Sequence, residues 1–507
     1  MDRVVRLLLA SVVAVALLGC LAGVAFAGRA QAYAPYRIPP REPAPKSAAV
    51  GALLKGSSIS SRDSWITVHL QGSPYKVGFQ NGYLTAQSSD YAIQVDVGRR
   101  GGNARKMADT VARRYVWPRV PLEYRTELRG IANGMHAAGY PNDTLWDVVA
   151  ANAWADEDCY ATLLPRTAAA SAAATFAARA AGKGGCSAFI ATGAATADGA
   201  PVMGHDTWAQ YSGAFMYNVM FYVHPAKGYD FSYQSAGGEI WSGQDWYENS
   251  AGLLLTETTL ADTVYTPSGV PVFVRAREAA QYDATVAQAV HTLVHRNNGA
   301  YSNEWLIGDA GGTIASLQLG GKVYDLHETT SGFYGSSNFD WGAKTRAEEV
   351  ACDAGWAPDP STAAVVDYAR YLRWGQLKTA DWGTIDATVG RAMESDTYDT
   401  YLAKQAPDAR DLCGEPEHAT PGLLLWDGWV NLPEGATDGK VCTEDMARNG
   451  LQSWACWGHG SGDHFSAAAY LAAHPRWPAR NGALGVFGLK TFSAQTTDRW
   501  VEVGAAW

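Results

Sequence analysis

The chain has 507 residues, of which 47% are hydrophobic, so it is long enough to bury a large core in one domain or in two smaller ones. Its formal net charge is −10 and it contains no run of lysine and arginine, so a nucleic acid is not expected as a partner. The 19 tryptophans and 25 tyrosines favour a core with aromatic-lined clefts, although core packing alone also explains them.

Residues 1–27 have the pattern of a secretory signal peptide. Arg3 and Arg6 precede an apolar stretch that ends in the Ala-Phe-Ala sequence of residues 25–27, which predicts cleavage after Ala27. The apolar run is also long enough to remain as a single membrane anchor. We therefore expect a secreted or cell-envelope protein. Residues 28–62 are rich in proline, alanine and serine and predict a flexible lead-in.

Helical patterns dominate between residues 63 and 160. Residues 103–117 and 121–139 both place apolar side chains three and four positions apart, which is typical of amphipathic helices. Residues 161–185 then form an alanine-rich, low-complexity connector that ends in two glycines. The sequence thus predicts a helical segment over residues 63–185, with the connector at its end.

Strand patterns begin at Cys186. Five apolar stretches follow it between residues 187 and 260, and Asp198-Gly199 between the first two predicts a tight turn. A helical segment over 274–295, further strands over 303–327 and a helix over 361–374 come next. This order predicts antiparallel sheets with helices packed outside them, an α+β layered fold in one compact unit.

The position of Cys186 is the most informative feature. A solvent-exposed connector leads directly to a cysteine at the first position of a core strand, the layout expected if the chain is cut between Gly185 and Cys186. Cys186 would then supply a thiol nucleophile and its own α-amine, with a pKa of about 7.7–8.0, as the base. An ordinary buried cysteine after a flexible loop is the alternative, and these residues alone leave both open.

The other cysteines suggest disulfides in an exported protein. Cys442 with Cys456 and Cys352 with Cys413 are the simplest pairs, although the sequence does not fix the connectivity. A catalytic Cys186 has to remain a thiol. No C-x-x-C pair occurs, so a zinc-ribbon site has no support.

A resemblance to a known family rests on the stretch CSAFIATGAATADGAPVMGHDTW, in which a cysteine opens a hairpin and Gly-His-Asp-x-Trp follows. It resembles the phospholipase B-like proteins and their relatives in the acyl-transferase and choloylglycine-hydrolase group of N-terminal-nucleophile hydrolases. Four further stretches agree in order, namely ELRGIANG, AGLLLTETTL, HRNNGAYSNEWLIGDAGG and TDGKVCTEDMA. The resemblance implies an αββα sandwich, autocatalytic maturation, and hydrolysis of an amide or ester bond by Cys186.

The resemblance also implies roles for the residues after the hairpin turn. His205 and Asp206 match positions where polar groups orient the amine or thiol of the nucleophile, and Asp206 stands where asparagine is common. The arginine and aspartate of the choloylglycine-hydrolase branch are not reproduced, because His205 and Trp208 occupy those places. Bile-salt and penicillin substrates are therefore not expected. A capped turn with a surface histidine is the purely structural interpretation.

Three further stretches provide candidates by resemblance. Asn338, in SSNFDW, resembles an oxyanion-hole asparagine, and Thr258 and Thr259 resemble the other side of that hole. Arg346 follows Asn338 and resembles an arginine that supports the site. Turn residues at strand ends are the structural alternative for the asparagine and the threonines.

Metal and cofactor motifs are weak or absent. His291 and His295 are four residues apart on a predicted helix, but they lack the glutamate of H-E-x-x-H. No G-x-S-x-G, G-x-G-x-x-G or P-loop sequence occurs, so no cofactor is expected.

The sequence thus favours an exported, self-processed hydrolase with residues 186–507 as its catalytic chain. Its expected partners are a small acyl amide or phospholipid substrate and its own cleaved N-terminal chain. An acyltransferase differs only in the acceptor of the acyl group. A non-catalytic envelope protein of the same fold, binding lipid or glycan, is the alternative of another class.

Overall fold

The computed structural model describes residues 33–37, 46–97, 101–164, 185–260, 264–352, 365–422 and 433–505. The predicted signal peptide and most of the alanine-rich connector lie outside these ranges. Among the described helices, none combines the length and the apolar character needed to cross a membrane.

The helices are α1 (Ala48–Leu54), α2 (Pro74–Leu84), α3 (Ala86–Asp96), α4 (Gly101–Val111), α5 (Leu122–Ala138), α6 (Leu145–Asn152), α7 (Glu157–Ala161), α8 (Tyr211–Ala214), α9 (Val272–Tyr282), α10 (Val286–Val294), α11 (Ala343–Cys352), α12 (Val366–Ala380), α13 (Ala387–Glu394), α14 (Glu444–Arg448), α15 (Ala467–Ala473) and α16 (Trp477–Gln495). The strands are β1 (Ser58–Arg62), β2 (Trp65–Gly72), β3 (Cys186–Thr192), β4 (Val202–Gln210), β5 (Val219–Pro225), β6 (Phe231–Ser235), β7 (Trp246–Asn249), β8 (Leu254–Thr259), β9 (Asn303–Gly308), β10 (Ile314–Leu319), β11 (Tyr324–Thr329), β12 (Gly332–Ser336), β13 (Tyr398–Asp399), β14 (Lys404–Gln405), β15 (Glu434–Thr443), β16 (Ser453–Trp457) and β17 (Trp500–Val503).

Two large sheets organise the chain. The larger has nine strands in the order β1-β2-β5-β6-β7-β8-β9-β10-β11, and the smaller has six in the order β12-β3-β4-β15-β16-β17. Strands β2 and β5 pair in parallel, with Ile66 opposite Val219, whereas the other paired strands of both sheets run antiparallel. Because β2 precedes Cys186 and β5 follows it, the segment before the cysteine contributes two strands to the larger sheet.

The sheets pack face to face and are covered on their outer sides. Strands β3, β9 and β10 are buried along their whole lengths, so their side chains on both faces meet other layers. The core between the sheets contains apolar side chains of both, namely Ile190, Met203, Leu254, Leu306 and Ile314. Burial of apolar area on this scale is the main force that holds such layers together.

Helices form the two outer layers. Helices α9 and α10 share a core with the larger sheet, in which Val272 and Leu293 accompany Leu255 and Ile307. On the other side, Trp374 of α12 and Met393 of α13 share a core with Phe189 and Val441 of the smaller sheet. The layers are therefore helix, sheet, sheet and helix, which confirms the predicted αββα sandwich.

The segment before Cys186 differs from the sequence prediction in two places. Residues 28–62 are predicted to form a flexible lead-in, yet α1 and β1 lie within them. Residues 63–160 are predicted to be mainly helical, yet they also contain β2, whose alternating Ile66, Val68 and Leu70 follow the period of a strand. Helices 103–117 and 121–139 are confirmed, with a π-helical turn after α4.

The segment predicted as one helix over 274–295 is two helices. Helix α9 ends at Tyr282 and α10 begins at Val286, after Thr285, whose hydroxyl accepts a hydrogen bond from the Gln288 nitrogen at 3.3 Å. A threonine that caps a new first turn explains the break.

Four glycines allow α2 and α5 to cross in backbone contact. A Cβ at Gly78 would lie 1.9 Å from the Glu127 carbonyl oxygen, and one at Gly82 would lie 2.1 Å from that of Ile131. On the facing helix, a Cβ at Gly130 would lie 2.3 Å from the Tyr75 carbonyl oxygen, and one at Gly134 would lie 2.3 Å from the Phe79 carbonyl oxygen. The glycines of the ELRGIANG stretch are therefore explained by helix packing.

Near this crossing, a buried ion pair joins the chain before Cys186 to the chain after it. Arg277 of α9 donates to both carboxylate oxygens of Glu127 of α5, at 3.2 and 3.0 Å. Both side chains are almost fully buried. Removing one partner of such a pair leaves an uncompensated buried charge.

The disulfide predictions are wrong. Cys413, Cys442 and Cys456 are free thiols. In the β15–β16 pairing Gly439 lies opposite Cys456, so Cys456 and Cys442 point to opposite faces of the sheet. Cys442 lies in the core between the sheets, whereas the Cys456 thiol donates to the His459 carbonyl oxygen at 3.6 Å.

The helix crossing predicts opposite effects for two glycine substitutions. Gly130→Ala should lower the free energy of unfolding by on the order of 2 kcal/mol, because its methyl group overlaps backbone atoms of α2. Gly375→Ala, in α12, should raise it by about 0.5–1 kcal/mol, because its Cβ meets nothing within 4 Å. Thermal and urea unfolding of both variants would test this, and a neutral Gly130→Ala would contradict the backbone contact.

Candidate active site

The main chain of Cys186 is held by side chains from distant parts of the sequence. Its nitrogen donates to Oδ1 of Asn338 at 2.8 Å, and its carbonyl oxygen accepts from the Arg370 guanidinium at 2.5 Å. The residue is 3% exposed. Burial, and then the carboxyl groups of Asp245 and Glu257, raise the pKa of the thiol well above its usual range. In the intact chain Cys186 is therefore a protonated thiol at neutral pH.

Asn338 follows β12 and connects Cys186 to β8. Its Oδ1 also accepts from the Arg370 guanidinium at 2.9 Å, and its Nδ2 donates to the Thr259 carbonyl oxygen at 2.9 Å. Two donors on one side and an acceptor on the other fix the orientation of the amide group. The residue has a φ of 64°, a left-handed conformation that asparagine adopts more readily than most residues. Asn338 therefore contacts Cys186, and its oxygen is the atom that faces it.

The guanidinium beside Cys186 belongs to Arg370 of α12. Besides Cys186 and Asn338, it pairs with Asp367 at 2.7 Å and lies 4.2 Å from the centre of the Trp208 ring. Arg346, the arginine predicted from the sequence, is exposed and lies over the ring of Phe339 instead. Arginine suits this position because its planar fork can bridge several acceptors at once while it stacks on an aromatic ring.

The side chains of His205 and Asp206 lie on opposite faces of β4. Asp206 pairs with Ser187, and its Oδ1 accepts from the Ser187 nitrogen at 2.6 Å. His205 pairs with Ala188 and shares with Cys186 the face between the two sheets. The Cys186 sulfur, a ring nitrogen of His205 and a carboxylate oxygen of Asp245 all lie within 4.8 Å of one another. Of the two predicted residues, His205 is therefore the one beside the thiol.

Two carboxyl groups of the larger sheet complete this side of the site. Asp245 and Glu257 are both buried, and their carboxyl groups interact with each other. Burial raises the pKa of Asp245 to about 6 and raises that of Glu257 well above its usual range. Asp245 also has a φ of 60°, a strained conformation that often occurs at functional sites. Burial of both groups therefore favours their protonated forms next to Cys186.

A fully buried lysine lies next to this group on β15. Lys440 pairs with His205 in the strand register and donates to Asp438 at 2.5 Å, to Thr207 at 2.9 Å and to Gln234 at 2.7 Å. Its ammonium group is thus compensated by a carboxylate and neutral acceptors, as a buried charge requires. Its positive charge adds to burial in lowering the pKa of His205 well below the usual range.

The two threonines at the end of β8 have separate partners. The Thr258 hydroxyl hydrogen bonds with that of Ser336 at 2.6 Å and accepts from the Asn338 nitrogen at 3.3 Å. The Thr259 hydroxyl hydrogen bonds with the Tyr301 hydroxyl at 2.7 Å. Both residues therefore support Asn338, Thr259 through its main-chain carbonyl group.

Two groups of side chains in the described part of the chain have the spacing of metal ligands. One is Cys186 with His205 and Asp245, and the other is the buried Glu415 with the exposed His418 and Asp463. The predicted pair of His291 and His295 lies ring against ring, with centroids 5.5 Å apart. The first group is buried among donors and acceptors of protons, so its geometry is equally suited to proton transfer.

Sequence reasoning missed Arg370, Asp245 and Lys440. Arg370 lies in a predicted helix without any motif, and Asp245 precedes a short strand that the pattern did not indicate. A signal for Glu257 was present, because it is the only charged residue of the apolar stretch AGLLLTETTL. A charge in the middle of a buried strand indicates a polar partner or a function.

Comparison with known proteins finds a family model that matches part of the chain. Residues 102–338 match the family model Phospholipase B. A putative phospholipase B-like 3 protein of Caenorhabditis elegans is 26% identical over 243 residues, which are 43% of this chain and 41% of that protein. An uncharacterized protein of Archaeoglobus fulgidus is 28% identical over 290 residues, 51% of this chain and 43% of that protein. The chain thus matches less than half the length of these relatives.

Two solved structures are similar to this chain, with low TM-scores. A mutant of the conjugated bile acid hydrolase from Clostridium perfringens is 11% identical, with a TM-score of 0.33, over 54% of this chain and 89% of that one. The penicillin V acylase from Agrobacterium tumefaciens is 14% identical, with a TM-score of 0.29, over 54% of this chain and 75% of that one.

The family match begins before Cys186 and ends at Asn338, so it contains the cysteine, His205, Asp245 and Glu257. The hydrolase class expected from the sequence agrees with it. The resemblance to the phospholipase B-like proteins is therefore confirmed for residues 102–338.

Proposed function

We propose that this chain is a self-processing cysteine hydrolase that cuts an amide or acyl-ester bond with Cys186 as an N-terminal nucleophile. One observation carries the proposal. Cys186 is the first residue of β3, and its nitrogen and carbonyl oxygen are fixed by Asn338 and Arg370 while its thiol lies beside His205 and Asp245. A buried structural cysteine also needs main-chain hydrogen bonds, but it does not need a histidine and a carboxyl group beside its thiol.

Cleavage before Cys186 turns its nitrogen into an amine that remains beside Asn338 Oδ1. The neighbouring Arg370 guanidinium disfavours a positive charge on this amine and lowers its pKa, so that the neutral, basic form is available at neutral pH. The amine then takes the thiol proton as sulfur attacks the acyl carbon. A leaving alcohol or amine receives that proton, and water completes the cycle by hydrolysing the thioester.

The main-chain N–H group of Trp208 is the proposed hydrogen-bond donor to the oxyanion. In the intact chain it donates to the Gly185 carbonyl oxygen at 2.9 Å. When the Gly185 end leaves, this N–H points to the place where the substrate's acyl oxygen would lie, and a fixed backbone donor stabilises charge that develops there. The predicted donor, Asn338 Nδ2, is already bound to the Thr259 carbonyl group.

The family match supports the proposed substrate class. Phospholipase B-like proteins are named for acyl esters of phospholipids, and a thiol nucleophile is equally suited to N-acyl amides. A substrate of this kind, met outside the cell, is consistent with the signal peptide predicted over residues 1–27. Residues 186–507 would form the catalytic chain and residues 28–185 its retained partner.

Self-cleavage predicts two fragments from the wild-type chain. Intact-mass and N-terminal sequence analysis should find one fragment that begins at Cys186, whereas Cys186→Ala should remain a single chain. The fragments should elute together from a size-exclusion column without denaturant, because β2 pairs with β5 and Glu127 pairs with Arg277 across the cut.

Cys442→Ala is the matched control, because Cys442 is also a free, buried thiol between the sheets. This variant should be cleaved like the wild type. An intact wild-type chain, or cleavage of Cys186→Ala, would rule out Cys186 as the processing nucleophile.

The reaction is tested on the cleaved protein with lysophospholipids and N-acyl amino acids. Release of free fatty acid that is absent in Cys186→Ala would establish hydrolysis. Added hydroxylamine should trap the thioester as a hydroxamate, and the ratio of hydroxamate to free acid compares acyl transfer with hydrolysis. No release from either substrate class by a cleaved protein would contradict the proposed activity.

Substitution of the two arginines should separate the observed site from the predicted one. Arg370→Lys should slow cleavage at Cys186 and hydrolysis by at least about tenfold, because a lysine cannot bridge Cys186, Asn338 and Asp367 together. Arg346→Lys should leave both rates unchanged. Equal rates for Arg370→Lys and the wild type, measured in single-turnover assays, would show that the guanidinium has no role.

A further inference from the structure

Self-cleavage lacks the base that later turnover has. In the intact chain the Cys186 nitrogen belongs to a peptide bond, and resonance with the carbonyl group removes its basicity. The thiol has a raised pKa and is protonated. The first attack, on Gly185, therefore requires a base other than the α-amine.

His205 has the tautomer that such a base needs. Its Nε2 lies 3.0 Å from the Glu257 carbonyl oxygen, and a carbonyl oxygen only accepts hydrogen bonds, so Nε2 carries the proton. Complete burial keeps the ring neutral, because it lowers the pKa. Nδ1 consequently carries no proton, and its lone pair can accept one.

The Nδ1 atom is also unoccupied. It is buried and has no hydrogen-bond partner among the described residues. A buried acceptor without a donor is costly, and its presence requires an explanation. The Cys186 thiol supplies one, because a ring nitrogen of His205 lies within 4.8 Å of Sγ and Nε2 is already bound to Glu257.

The bond to be cut is held at both ends. The Gly185 carbonyl oxygen accepts from the Trp208 nitrogen at 2.9 Å, and the Cys186 nitrogen donates to Asn338 at 2.8 Å. A Cβ at position 185 would lie 3.0 Å from the Trp208 ring and 3.1 Å from Asn338 Oδ1. Glycine therefore lets the carbonyl group approach the donor that polarises it.

We propose that His205 is the base of the self-cleavage step, and that the Cys186 amine replaces it in every later turnover. This inference rests on the proposed function. Nδ1 takes the thiol proton while sulfur forms a bond to the Gly185 carbonyl carbon. The C–N bond to Cys186 then breaks, and that proton passes to the departing nitrogen. Water hydrolyses the resulting thioester, which leaves a Gly185 carboxylate, the thiol and a free amine.

Charged groups on both sheets face the ring and the thiol. Asp245 and Glu257 approach from the larger sheet, whereas Lys440, paired with Asp438, approaches from β15. Burial favours the protonated forms of the two carboxyl groups, which limits the negative charge beside the sulfur. Burial, and then the positive charge of Lys440, disfavour the protonated imidazole, so that its Nδ1 is free of a proton.

The test compares His205→Ala with the wild type during maturation. General-base catalysis contributes about 10²–10⁴-fold, so cleavage at Cys186 should slow by at least about 100-fold. Added imidazole should restore cleavage in this variant by occupying the vacated space. After imidazole is removed, the matured variant should hydrolyse substrate within about tenfold of the wild-type rate, because the amine now acts as base.

A second variant guards against misfolding. His205→Gln can still donate to the Glu257 carbonyl group but has no basic nitrogen, so it should fold with the wild-type melting temperature and remain uncut. His69→Gln, at another buried histidine on β2, is the matched control and should mature normally.

The outcomes separate the two proposals. Wild-type cleavage rates in folded His205→Gln, no restoration of His205→Ala by imidazole, or an inactive matured His205→Ala would each overturn the role of His205 and leave Cys186 as nucleophile. A wild-type chain that never cleaves would overturn the proposed function itself.

Discussion

Hydrogen bonds to the main chain of Cys186 organise the whole site. Asn338 binds its nitrogen and Arg370 binds its carbonyl oxygen, and the two side chains also bind each other. The first residue of β3 is thereby fixed in position. A chain end that stays in place after cleavage is what an N-terminal nucleophile requires, because attack depends on the position of the thiol to within a fraction of an ångström.

Strand alternation decides which polar side chains reach that thiol. Successive residues of β4 point to opposite faces, so His205 enters the space between the sheets and Asp206 enters the helical layer. The Asp206 carboxylate accepts a hydrogen bond from the main-chain nitrogen of Ser187 in β3. Two neighbours with similar chemistry in the sequence thus have different roles, one beside the thiol and one in securing the strand that carries it.

The polar groups between the sheets oppose folding. Asp245, Glu257 and Lys440 are buried in the middle of a domain whose stability comes from apolar burial, and removing such polar groups from water costs free energy. The apolar cores on both sides of the sheets, and the close crossing of α2 and α5, offset that cost. The chain before Cys186 therefore contributes to the stability of the site.

The class of fold and the candidate nucleophile could be predicted from the amino-acid sequence. Strand patterns after residue 186, helical patterns around them and the ordered family stretches predicted the αββα sandwich, Cys186, His205 and Asn338, because these signals are local. The same signals did not indicate β2 as a partner of β5, the free state of Cys442 and Cys456, or the choice of Arg370 over Arg346. Those features depend on which distant strands pair and which helix face covers a sheet. They are defined only in the folded molecule, since contacts between residues 186, 338 and 370 leave no periodicity or spacing in the chain.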